Sequence, residues 1–93
     1  MAGHDLVAMP TFMLDHRHRP DECRVVFASW RGFESPLRRD AALSSCAEAG
    51  SGADEHRIWW RVDAVDASEA LAMLPPYVAE RTEISPISEV PIP

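Results

Sequence analysis

From Thr11 to His18 the chain alternates, with Phe12, Leu14, His16 and His18 on one side and Met13, Asp15 and Arg17 on the other. A period of two over β-compatible residues predicts a strand. Pro20-Asp21-Glu22 then opens a helix, because proline and acids suit the first turn and the positive end of its dipole. Cys23, Val26, Phe27 and Trp30 follow at helical spacing and predict one apolar face, which Gly32 ends. Cys23 belongs to that stripe and reads as a core residue. Residues 34–40 (ESPLRRD) read as a loop. Residues 41–47 (AALSSCA) predict a short buried strand, Gly50-Ser51-Gly52 a turn, and residues 56–64 (HRIWWRVDA) the strongest strand of the chain. On this last strand His56, Ile58, Trp60 and Val62 share one face, and Arg57, Trp59, Arg61 and Asp63 the other.

Asp66-Ala67-Ser68-Glu69 has the spacing of a capping box, and Ala67, Ala70, Leu71 and Leu74 form a second helical stripe. Pro75-Pro76 interrupts it, and Pro76 begins a short further segment through Ala79. Residues 83–92 predict a final strand, placed at an edge by Pro86 and Pro91, with a bulge where its apolar phase changes near Pro86. Trp30, Phe27, Trp60, Leu71 and Leu74 are the expected core. Residues 1–10 read as an irregular lead, within which Met9 offers a second start, and residues 11–93 as a single α+β domain.

Strand-helix-strand-strand-helix-strand is the ferredoxin-like order. It predicts a four-stranded antiparallel sheet whose two helices cover one face, because both crossovers are right-handed. The opposite face, carrying Trp59 and Met13, then needs a cover, and a second copy of a chain this small supplies one. The segments TFMLDHRH, SPLR, HRIWWRVDA, ALAMLPPYVAERTE and SEVPIP together resemble the stand-alone ferredoxin-like proteins that pair sheet to sheet as dimeric α+β barrels. The resemblance extends to small families of unknown function and covers the chain from Met9 onward. It implies a homodimer, and its relatives include metal-binding proteins, muconolactone-isomerase-like enzymes and cofactor-free monooxygenases. Such a fold does not choose among these chemistries.

Composition narrows the field. A hydrophobic fraction of 46% fits a globular chain, and a net charge of −6 lacks the basic stripe of a nucleic-acid binder. The densest basic stretch, from Arg17 to Arg39, is broken up by acids. No apolar run approaches the ~20 residues that cross a bilayer, and the first ten lack a basic leader, so neither a membrane partner nor export is expected. The two cysteines do not build a disulfide framework, and reduced thiols in the cytoplasm are the expectation.

Two constellations carry candidate chemistry. In the predicted topology the ends of the first two strands lie beside the start of the third, which gathers His16, His18, Cys46 and His56 at one end of the sheet. Imidazole and thiolate suit nickel, zinc or copper. The competing reading makes these histidines the polar rim of a hairpin mouth and Cys46 a small core residue. On the other face Asp15, Arg17, Trp59, Arg61 and Asp63 form a candidate pocket for an anionic or aromatic small molecule, with Asp15 or Asp63 as a base. The competing reading is a charge-paired dimer interface anchored by Trp59. Ala2-Gly3-His4 would hold copper or nickel if Met1 were removed, although a terminal segment needs no such role. The leading expectation is a small non-enzymatic protein that holds a transition metal or small molecule in a dimeric barrel. The alternatives are a cofactor-free enzyme on a small aromatic or lactone-like substrate, and a structural or regulatory dimer without ligand.

Overall fold

The computed structural model describes residues 9–46 and 55–93. His4 and the Gly50-Ser51-Gly52 turn lie outside the described residues. The elements run β1 (Thr11–His18), α1 (Cys23–Ala28), β2 (Leu43–Ser44), β3 (His56–Asp63), α2 (Ala67–Leu71), α3 (Pro76–Ala79) and β4 (Thr82–Ile87). All four strands form one antiparallel sheet in the order β2-β3-β1-β4. The architecture is therefore α+β, with small helical segments beside an antiparallel sheet. No described helix is long and apolar enough to cross a membrane.

β1 and β3 are the inner strands, each paired on both sides, and β1 has the longer pairings. Its register with β3 runs from Thr11↔Asp63 to His18↔His56, and its register with β4 from Thr11↔Ile87 to His16↔Thr82. The alternation in sequence becomes an alternation in burial. Phe12, Leu14, His16 and His18 of β1 and Ile58, Trp60 and Val62 of β3 are buried. The apolar residues among them share one core cluster with Val26 of α1, Ala70 of α2, Leu74 between α2 and α3, and Val78 of α3, so the helical segments cover this face. Met13, Asp15 and Trp59 on the opposite face are half-buried, and Arg17, Arg61 and Asp63 are exposed.

Local signals explain where the helices start. A 3-10 turn, Pro20–Glu22, precedes α1, and the Arg19 amide donates to Glu22 Oε1 at 2.9 Å. The Glu69 amide donates to Asp66 Oδ1 at 2.8 Å, while Glu69 Oε1 takes the amide of Val65 at 2.9 Å. The first is the cap bond that the Asp66–Glu69 spacing predicted, while the second lands on the residue before the cap rather than on the Asp66 amide. α1 ends at Ala28, before the expected stop at Gly32, which sits at φ 73° in the turn that follows, a left-handed conformation that costs a residue without Cβ nothing.

Several expectations need correction. The strand predicted over residues 41–47 shrinks to Leu43–Ser44, because Ser45 and Cys46 already turn away. The loop at residues 34–40 contains a 3-10 turn, Pro36–Arg39, capped by Ser35, whose hydroxyl accepts from the Leu37 amide and donates to the Met73 carbonyl at 2.7 Å. β4 ends at Ile87 rather than residue 92. It carries no bulge at Pro86, since the pairing with β1 runs unbroken across that position. An edge strand tolerates proline because alternate amides point away from the sheet. Phe27 is 52% exposed and leaves the expected core, since Val26 alone of α1 is fully buried. Around Phe27, Trp30, Leu37 and Trp60 the packing stays open as a hollow of about 300 Å³.

Trp60 packs its ring 5.9 Å from Trp30 and 6.3 Å from His16. Trp60→Ala should therefore lower the stability of the fold by about 3 kcal/mol or more in urea titration. Trp59→Ala, on the open face, should cost the isolated chain far less. The reverse ranking would mean that the two faces of β3 are exchanged.

Candidate metal centre

The strongest polar cluster grows from the core face of β1. His16 and His18 are buried, at 0% and 3% exposure, where an imidazole without a partner would be costly. Neither lacks one. His16 Nδ1 lies 3.2 Å from the Val78 carbonyl oxygen and 3.2 Å from Thr82 Oγ1. Thr82 itself donates to the same carbonyl at 2.6 Å. A carbonyl only accepts, so His16 Nδ1 carries its ring proton. Burial, the neighbouring His18 and the nearby Arg81 hold the His16 pKa down to about 4, and the ring is neutral. Its Nε2 must then accept, and the donor is His18 Nδ1 at 2.9 Å. His18, whose pKa is likewise lowered by burial and by His56, is left with its Nε2 lone pair free.

That lone pair faces two sulfurs. His18 Nε2 is 3.3 Å from Cys23 Sγ and 3.5 Å from Cys46 Sγ. Cys23 Sγ is also 3.0 Å from His56 Nδ1. One donor atom from each of His18, Cys23, Cys46 and His56 lies within 4.8 Å of the other three. Four separate places in the fold deliver them: the end of β1, the start of α1, the turn after β2 and the start of β3. Burial raises the Cys23 thiol pKa, and the adjacent Cys46 raises it further. Two thiols competing for one environment are the groups that a cation would bring into thiolate form.

Of the residues expected from sequence to bind metal, His18, Cys46 and His56 meet here. His16 stands one step behind, hydrogen-bonded to His18 and outside the group. The expected approach of His16 to His56 gives way to register: His56 pairs with His18, and His16 pairs with Ile58. Cys23 was missed. Its place on an apolar helical stripe concealed that the first turn of α1 faces the end of the sheet. The signal available was His18 five residues upstream of it, across a turn opened by proline.

The group could hold a metal ion. Zinc with Zn–S of about 2.3 Å and Zn–N of about 2.0 Å spaces its ligand atoms roughly 3.3–3.8 Å apart. Three of the separations, 3.0, 3.3 and 3.5 Å, lie close to that range, and all four atoms lie within 4.8 Å of one another. Beside the group, Glu22 takes the Arg19 amide, the Tyr77 hydroxyl at 2.9 Å and Arg81 Nε at 3.0 Å, which together hold its carboxyl down to about 2. This clamp fixes the turn leading into Cys23 against α3.

The second constellation is more scattered. Asp15, Trp59 and Arg61 line an open hollow of about 460 Å³ together with Met13 and Leu43. Arg17 reaches Asp15 at 3.4 Å, but Asp63 accepts from Thr11 Oγ1 at 2.7 Å at the far end of the strand. Arg57, absent from the expected set, is the principal partner of Asp15 and stacks 4.9 Å over the Trp59 ring. Partial burial raises the Asp15 pKa, but hydrogen bonds from Arg57 and Arg17 outweigh it and hold the carboxyl below its ordinary range. A carboxylate so engaged is poorly suited to act as a base. Comparison with protein-family models, curated proteins and solved structures finds no match to this chain.

The depressed pKa of Asp15 makes a pH-dependent contribution to stability. It is fully present above the ordinary aspartate value of 3.8 and is lost as pH falls through the lower folded-state value. Asp15→Asn should therefore lower the urea midpoint at neutral pH and show a smaller further drop below about pH 4 than the parent chain. Parallel pH profiles of the two proteins would count against the pair.

Proposed function

We propose that this chain is a small binding protein whose ligand is a tetrahedral transition-metal ion, held by His18, Cys23, Cys46 and His56. The convergence of these four donor atoms within 4.8 Å carries the reading. Zinc is the first choice among nickel, zinc and copper, because two thiolates and two imidazoles in a tetrahedral set favour it. Four protein ligands leave no vacant position for water or substrate, which is the pattern of a structural site rather than a catalytic one. The ion would tie the ends of β1 and β3 to the start of α1 and the exit of β2. His16 would set the orientation of His18 through the hydrogen bond that fixes its tautomer.

Two further features belong to the same reading. The element order and the sheet order β2-β3-β1-β4 support a ferredoxin-like arrangement. The uncovered sheet face, with Trp59 at its centre and Leu43 74% exposed beside it, supports face-to-face pairing of two copies as a dimeric α+β barrel.

Untagged protein should carry one zinc per chain by elemental analysis, and Co²⁺ should give the visible spectrum of a tetrahedral thiolate site. His18→Ala, Cys23→Ser, Cys46→Ser and His56→Ala should each weaken zinc by more than about 100-fold in chelator competition, and His16→Gln by about 10- to 100-fold. Ligand variants that bind zinc as tightly as the parent would sink the assignment. For the pairing, sedimentation at micromolar concentration should show a dimer that Trp59→Ala weakens by about 2 kcal/mol. A monomer under those conditions removes the barrel.

A further inference from the structure

Both cysteines of the chain are in the four-membered group. Their sulfurs lie within 4.8 Å of each other, and both residues are half-buried rather than sealed in the core. A small oxidant can therefore reach two thiols that are already neighbours. We propose that the centre is a redox-controlled metal site, in which a peroxide converts Cys23 and Cys46 into an intramolecular disulfide and thereby expels the ion. This rests on the metal reading given above.

The chemistry balances without any further reactant. One zinc-bound thiolate attacks a peroxide oxygen, the O–O bond breaks, hydroxide leaves and the sulfur becomes a sulfenic acid. The other thiolate attacks that sulfur, the S–S bond forms and a second hydroxide departs. Two thiolates have lost two electrons in total, and one hydrogen peroxide has become two hydroxide ions. The two imidazoles that remain, His18 and His56, are too few to retain zinc, which leaves as Zn²⁺. A dithiol reductant restores both thiols and with them the site.

The positions of the ligands give the switch a structural output. In the metal-bound state the end of β1, the start of α1, the turn after β2 and the start of β3 are tied together. In the oxidised state the disulfide joins only the start of α1 to the turn after β2, and the two histidines lose their link to both. The oxidised form differs from a merely metal-free one, because the Cys23–Cys46 bond still closes the intervening chain.

The test uses the whole chain loaded with zinc. Hydrogen peroxide is added in steps while a chromogenic chelator reports released zinc and a thiol reagent counts free cysteines. Two thiols should disappear for each zinc released, and peptide mass mapping should find Cys23 linked to Cys46 within one chain. Dithiothreitol should then restore full zinc uptake. Zinc retained while thiols oxidise overturns the switch, as does release with one thiol consumed or a link between chains. A reduced protein that takes up neither zinc nor Co²⁺ overturns the metal reading itself, and that result is seen before any peroxide is added.

Discussion

Two imidazoles side by side on the core face of one strand are the constraint around which this molecule is arranged. His16 and His18 cannot be buried unless every ring nitrogen has an occupation, since an orphaned polar group inside costs about 1–3 kcal/mol. The Val78 carbonyl and Thr82 hydroxyl begin the chain of hydrogen bonds, His16 passes it to His18, and His18 ends it at the sulfurs of Cys23 and Cys46. Among the described residues no buried side-chain nitrogen or oxygen is left without a partner. The C-terminal half of the chain thus sets the orientation of a side chain near its beginning.

The clamp around Glu22 repeats this link from the opposite side. Tyr77 and Arg81 reach across to the turn just before Cys23, and the Arg81 guanidinium lies 3.6 Å over the Tyr77 ring. Cys23 and His18 are therefore both positioned by the segment from α3 to the start of β4, although neither belongs to it. A cluster assembled on a loop alone would not hold four donors at hydrogen-bond separations, whereas side chains whose own partners are fixed can do so.

Much of this arrangement is written in the period of the sequence, and the misses have identifiable physical causes. The alternation of Thr11–His18 and of the strand after Glu55 placed Phe12, Leu14, Ile58, Trp60 and Val62 on the core side, as the burial pattern has it. The same parity put His16, His18 and His56 on one face. Pairing register is not contained in parity, and a two-residue offset exchanged His16 for His18 as the neighbour of His56. Cys23 was assigned by helical spacing to the core, but α1 lasts only from Cys23 to Ala28, too short a helix for an apolar stripe to fix what its first residue faces. The apolar tail after Ile87 looked like strand because periodicity alone cannot tell where a partner strand ends, and β1 begins at Thr11, opposite Ile87.

The two margins of the sheet have a bearing on how the protein behaves at high concentration. Exposed strand edges invite further chains to add on, and proteins that avoid fibrils blunt them. Here the outer strand on one side is only Leu43–Ser44, which leaves the distal half of β3, with Arg61 and Asp63 exposed on it, to carry charge along that margin. The outer strand on the other side contains Pro86, which has no amide hydrogen to offer a newcomer. Lateral growth strand by strand is discouraged at both margins, so crowding of this chain should favour discrete assemblies over open-ended ones.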